Sequence, residues 1–158
     1  MLTRTDIHNI IALGEGYYAE FKLRPPAKVR EIAAEVCAFA NASGGVILFG
    51  VDDQNHIRGC NIDNAKRSAI QNAIDEINPH IHCAFYKIEN KHDLWVIEVP
   101  SGTQKPYALS GAIYVRQGPN TQKITSVEQM RDFFQQADRI YFDESPCNEF
   151  DPEKHFDD

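Results

Sequence analysis

Residues 35–59 read EVCAFANASGGVILFGVDDQNHIRG, and this stretch decides the fold. Its first part closes an amphipathic helical run, over about residues 27–41, in which Val29, Ile32, Ala33, Val36, Phe39 and Ala40 recur at helical spacing. Gly44-Gly45 breaks the chain and reads as the C-cap of that helix, not as a cradle for phosphate. Residues 46–51 form an unbroken apolar strand that ends at Asp52-Asp53. A strand without polar alternation belongs in the middle of a sheet with both faces covered. Its end therefore sets Asp53 at a rigid rim.

Working outward, Thr5 or Asp6 is placed to cap a short helix through Leu13, which Gly14 and Gly16 stop. Residues 17–23 alternate: Ala19, Phe21 and Leu23 share one face, while Tyr18, Glu20 and Lys22 share the other. Pro25-Pro26 ends that strand. Beyond the polar turn at 52–55, the apolar stripe Ala65, Ala69, Ile70, Ala73, Ile74 and Ile77 predicts a helix over 63–77, ended by Asn78-Pro79. Residues 81–89 and 94–99 read as an antiparallel hairpin, 112–116 as a short strand and 117–120 as a loop. Thr125-x-x-Glu128 reads as a capping box for a last helix to about residue 136. The pattern is α+β: a mainly antiparallel sheet packed with two core helices. Phe21, Val36, Phe39, Ile47 and Phe49 are its expected core.

The chain has 158 residues, long enough for one domain with a proper core. Its 42% hydrophobic and 25% charged content is ordinary for a soluble protein. No apolar run approaches a membrane span and MLTRTDIHN has no signal-peptide character, so a cytoplasmic location is expected. Cys37, Cys60, Cys83 and Cys147 are scattered, without zinc spacing. His80 and His82 share a strand face but lack a third ligand, and no Walker A pattern supports a nucleotide cofactor.

A net charge of −7 argues at first against nucleic acid. Its distribution changes that conclusion. Residues 138–158 hold eight acids against two bases, a balance of −6, and the other 137 residues sum to −1. The sequence thus divides into a domain at 1–137 and an acidic tail or linker at 138–158. Lys22, Arg24, Lys28 and Arg30 form a basic cluster suited to tracking phosphates, and the tail would compete for it. Arg58, Lys105, Arg116 and Lys123 are dispersed additions to that binding set. Tyr17, Tyr18 and Tyr107 are of a type that stacks on bases, although packing explains them as well.

Several motifs occur together here. Glu15 precedes YYAEFKL with Glu20-Phe21-Lys22, and FAN-x-x-GG-x-x-x-x-GVDD follows. Then come Trp95 to Pro100 as WVIEVP, Lys105-Pro106-Tyr107, and Ala112 to Gly118 as AIYVRQG. In this order they resemble the Schlafen family's AlbA-like domain, which also occurs in bacterial transcriptional regulators, over roughly residues 15–121. The resemblance implies a Schlafen AlbA-like fold and nucleic acid, DNA or RNA, as partner, and further domains after the acidic segment.

It also implies roles for three acids. Schlafen relatives that cleave structured RNA use carboxylates that map onto Glu15, Glu20 and Asp53, which would be both catalytic and ligands for Mg²⁺ or Mn²⁺. The same residues have a plainer reading as ion-pair and turn formers. The expectation is a nucleic-acid-binding domain of a transcriptional regulator, contacting mainly the sugar–phosphate backbone because no helix-turn-helix is evident. The alternatives are a metal-dependent endoribonuclease, or an oligomerisation or protein-interaction module. Schlafen nucleases wrap RNA with two such domains, so one copy here would need a homodimer to do the same.

Overall fold

The computed structural model describes residues 1–89 and 91–144, with side chains through residue 136. It forms two units, Met1–Ile124 and Thr125 onward. In the first, helix α1 (Arg4–Leu13) starts at Thr3, whose side chain accepts from the Asp6 N–H while Asp6 accepts from the Thr3 N–H. Asp6 is thus the far partner of a capping box and Thr3 its cap, two residues before Thr5 and three before Asp6, the two expected caps. Strand β1 (Ala19–Lys22) leads into helix α2 (Arg30–Asn41) and strand β2 (Gly45–Phe49). Helix α3 (Asn64–Asp75) is capped by Asp63, whose carboxylate accepts from the Lys66 N–H at 2.8 Å. Strands β3 (Ile77–Asn78), β4 (Ala84–Ile88), β5 (Leu94–Val99), β6 (Ala108–Leu109), β7 (Tyr114–Gln117) and β8 (Asn120–Lys123) follow.

The main sheet has the order β1-β2-β5-β4. β1 runs parallel to β2, with α2 as the crossover that a parallel pair requires. The other two pairings, β2 with β5 and β5 with β4, are antiparallel. β2 and β5 are the inner strands, as the apolar run predicts. Their alternation feeds two cores. Ile47, Phe49, Trp95, Ile97 and Val99 pack with α2 and α3 residues such as Ile32, Val36, Phe39, Ile70 and Ile74. Leu48, Leu94 and Val96 pack on the opposite face with Ile7 of α1, Ala19 and Phe21. All five expected core residues are buried.

Gly44-Gly45 acts at the junction of α2 and β2. The Gly44 N–H bonds to the Phe39 carbonyl at 2.9 Å, closing the helix. A Cβ on Gly45 would stand 2.3 Å from the Phe39 ring, so only glycine lets that ring lie against the start of β2.

Two small ladders escaped sequence reading. β3 pairs with β6, and the expected loop at 117–120 is the turn of a β7–β8 hairpin in which Tyr114 faces Lys123. Each is too short for its period to stand out. In the second unit, helix α4 (Val127–Glu144) runs beyond residue 136. The sequence spacing of Met130, Phe133, Phe134, Ala137 and Tyr141 continues the helical period. Its cap also sits one residue later than expected: Ser126 Oγ accepts from the Gln129 N–H, and Gln129 Oε1 accepts from the N–H groups of Thr125 and Ser126. Of the acidic segment expected at 138–158, residues 138–144 belong to α4 and residues 145–158 lie outside the described residues.

Phe39 is fully buried and fills the space between α2, β2 and the Arg116 guanidinium. Phe39→Ala is expected to cost about 3–5 kcal/mol in urea unfolding. A loss below about 1 kcal/mol would show that this face of α2 is not a closed core.

Candidate nucleic-acid interface

The alternation of β1 generates the charged part of the structure. Ala19 and Phe21 point into the α1 core, so Glu20 and Lys22 face the α2 side. There Lys22 Nζ lies 2.9 Å from Glu35 Oε2 of α2, with the two side chains 17% and 13% exposed. Glu20 Oε1 lies 3.1 Å from Arg116 Nη1 of β7. Arg116 is fully enclosed: Nη2 donates to the Gly16 carbonyl at 2.6 Å, and Nη1 donates also to Thr121 Oγ1 of β8 at 3.0 Å. Its guanidinium carbon sits 4.4 Å from the Phe39 ring centroid. Glu15 completes the group by accepting from the Phe21 N–H at 2.8 Å.

Burial dominates the electrostatics. It pushes the Glu20 carboxyl up, against the Arg116 hydrogen bond, and the charge of Glu15 adds to the rise. It pushes Glu35 up to about 7, with Lys22 opposing and Glu20 reinforcing. Glu35 Oε1 is buried with no hydrogen-bond partner among the described residues, as suits a carboxyl that protonates readily.

The second predicted element is the turn after β2. Asp52 Oδ1 accepts from the N–H groups of Gln54 and His56, both at 2.9 Å, and Oδ2 accepts from Arg58 Nε at 2.7 Å. The Arg58 bond, followed by the His56 amide, holds the Asp52 carboxyl below its ordinary range. Asp52 therefore shapes the turn. Asp53 beside it is exposed.

A shared Mg²⁺ or Mn²⁺ needs convergent carboxylates with free oxygens. Among the described residues no three His, Cys, Asp or Glu side chains are grouped to hold a metal ion. Glu15 and Glu20 are neighbours, but one bonds a backbone amide and the other a guanidinium. Asp53 is not gathered with them, so these residues as they stand do not fit the ion.

The expected binding cations divide into two kinds. Arg116 departs from that expectation in its setting: it is an internal cation, 5% exposed, with its Nη atoms held by Glu20, Thr121 and the Gly16 carbonyl. Lys22 is likewise engaged by Glu35. Arg24, Lys28, Arg30, Arg58 and Lys123 are exposed, although Arg30 Nη1 donates to Ser110 Oγ at 3.1 Å. Lys105 is half-buried, with Nζ 3.3 Å from Ser101 Oγ. Tyr107 is core, whereas Tyr17 and Tyr18 are exposed and meet edge to face.

Sequence reading missed the role of Asn41. Buried at the end of α2, its Nδ2 donates to the carbonyls of Tyr107 and Tyr114, both at 2.9 Å, and its Oδ1 accepts from the Tyr107 N–H at 2.7 Å. It ties β7 and the chain before β6 to the helix. An Asn at a helix position otherwise apolar was the available signal.

Glu35 makes stability depend on pH. A carboxyl raised by folding contributes stability in full below its ordinary value near 4.5, and that stability is lost as pH rises through about 7. The loss is at most about 3 kcal/mol. Thermal melts of the wild type should fall between pH 5 and pH 8, and Glu35→Gln should flatten that slope. Equal slopes in the two proteins would mean that Glu35 ionises without cost.

Comparison with known proteins fits this architecture. No curated protein matches the chain. Among solved structures, the chain is similar to the DIP2311 protein from Corynebacterium diphtheriae, with TM-score 0.58 and 15% identity. That match covers 88% of this chain and 29% of that one, so this chain spans under a third of that protein's length. It is also similar to the N-terminal domain of a RecG-related protein, named for an ATP-dependent DNA helicase, from Nitrosomonas europaea. Here the TM-score is 0.51 and identity 23%, over 80% of this chain and 95% of that one. Residues 15–125, from the acid that braces β1 to the end of the β7–β8 hairpin, match the family model for Schlafen, AlbA_2, and the chain belongs to that family.

Proposed function

We propose that the chain is a nucleic-acid-binding domain of a transcriptional regulator, holding DNA or RNA mainly by the sugar–phosphate backbone. The observation that carries this reading is the separation of charges in the first unit. Glu20, Glu35 and Asp52 are engaged by Arg116, Lys22 and Arg58, while Arg24, Lys28 and Lys123 stay exposed. Exposed cations on a nearly neutral domain attract a polyanion through counterion release, without any base readout. Membership of the Schlafen AlbA family supports the same reading.

Fluorescence anisotropy with a labelled DNA duplex and a labelled stem–loop RNA tests it. Binding is expected at about 50 mM salt, with log K falling linearly in log salt as several phosphate contacts are lost. No binding of either probe at low salt overturns the reading. The same mixtures, incubated with Mn²⁺ or EDTA and run on a gel, test metal-dependent endoribonuclease activity through Glu15, Glu20 and Asp53. If neither binding nor cleavage is seen, an oligomerisation or protein-interaction role takes their place, with a homodimer visible by light scattering.

A further inference from the structure

We propose that the cleft between the loop at Arg58 to Asn61 and the facing residues Lys87 and Lys91 to Asp93 is the seat for a backbone phosphate, gripped by Arg58, Lys87 and Lys91. This rests on the nucleic-acid reading above and locates it. The cleft has a volume of about 530 Å³, and its walls include those three cations and His92. Such a volume accepts a small polar ligand such as one phosphodiester unit.

The site is built, not incidental. Arg58 N–H and Gly59 N–H both bond to the Gly50 carbonyl, at 2.7 and 2.9 Å, which fastens one wall to the end of β2. The Cys60 N–H bonds to the Asp93 carbonyl at 2.9 Å, which fastens that wall to the start of β5. At Gly59 the two walls touch: a Cβ there would stand 2.8 Å from the His92 Cβ, so a side chain would force them apart. Asp52 holds Arg58 through Nε, which sets the plane of the guanidinium.

The charge balance favours an anion. Asp93 is the acid in the lining against the cations Arg58, Lys87 and Lys91, and its carboxylate is 3.9 Å from Lys87 Nζ. Arg24 adds to this field, since its charge reaches the Cys60 thiol in the same wall. Arg24 and Arg58 belong to the basic set that the sequence offered. Lys87, Lys91 and His92 come from the hairpin that it read over 81–99 but gave no binding role.

Three proteins decide the matter: the wild type, Lys87→Gln with Lys91→Gln, and Lys28→Gln with Lys123→Gln. All are titrated with the stem–loop RNA and the DNA duplex across a salt series, after thermal melts that compare their folding. The cleft pair is expected to weaken binding by roughly tenfold at low salt and to reduce the salt slope by about 2, one per lost contact. The Lys28 and Lys123 pair is expected to lose less. A loss in the cleft pair no greater than in the other pair overturns the cleft as the seat while leaving the binding function intact. No binding by the wild type overturns both. If the cleft double variant melts early, Lys91→Gln alone, measured against Lys28→Gln alone, decides on the same criterion.

Discussion

One buried guanidinium organises the charged side of this domain. Arg116 reaches from β7 to Glu20 of β1, the Gly16 carbonyl ahead of β1 and Thr121 of β8, under the Phe39 ring of α2. A charge removed from water is costly, and it is tolerated only where paired and hydrogen-bonded. Arginine suits the place because its planar fork serves several acceptors at once and does not give up its proton. Nε remains without a partner among the described residues, so the compensation is incomplete. Removing Arg116 leaves Glu20 half-buried and unpaired beside Glu15.

The same constraint bears on the described acids Glu15, Glu20 and Glu35. Their charge is answered from within by Arg116 and Lys22, and by the Phe21 amide. For Glu20 the answering charge is an internal cation, Arg116, at 3.1 Å. Arg24, Lys28 and Lys123 are exposed outside this network, where the proposed attraction to phosphate would need them. Paired and exposed cations are thus largely distinct, and Arg58 belongs to both groups: Asp52 holds its Nε while its side chain is 62% exposed.

Much of this was legible in the amino-acid order. The apolar run after Gly44-Gly45 marked the inner strand β2, and the alternation in residues 17–23 correctly paired Ala19 with Phe21 inside. The spacing of Val36 and Phe39 gave the buried face of α2. Arg116 was not legible, because its acceptor Glu20 lies 96 residues away and a lone arginine in a short strand looks like any surface cation. The cleft was hidden for a related reason. Arg58 and Lys87 are far apart in sequence, and only the β4–β5 pairing and the Cys60–Asp93 bond bring their segments together. Local pattern finds elements; charge partners found across the sheet need the fold.

The account stands on the claim that Arg116 and its acids are scaffold while ligand meets the rim. The most direct measurement is an NMR titration of the ¹⁵N-labelled chain with the stem–loop RNA, following backbone amides. Shifts concentrated around Arg58, Gly59, Lys87 and Lys91, with Glu15, Glu20 and Arg116 nearly still, are the predicted result. Shifts centred instead on Glu15, Glu20 and Arg116 would contradict it, since the ligand would then be entering the network that holds the fold together.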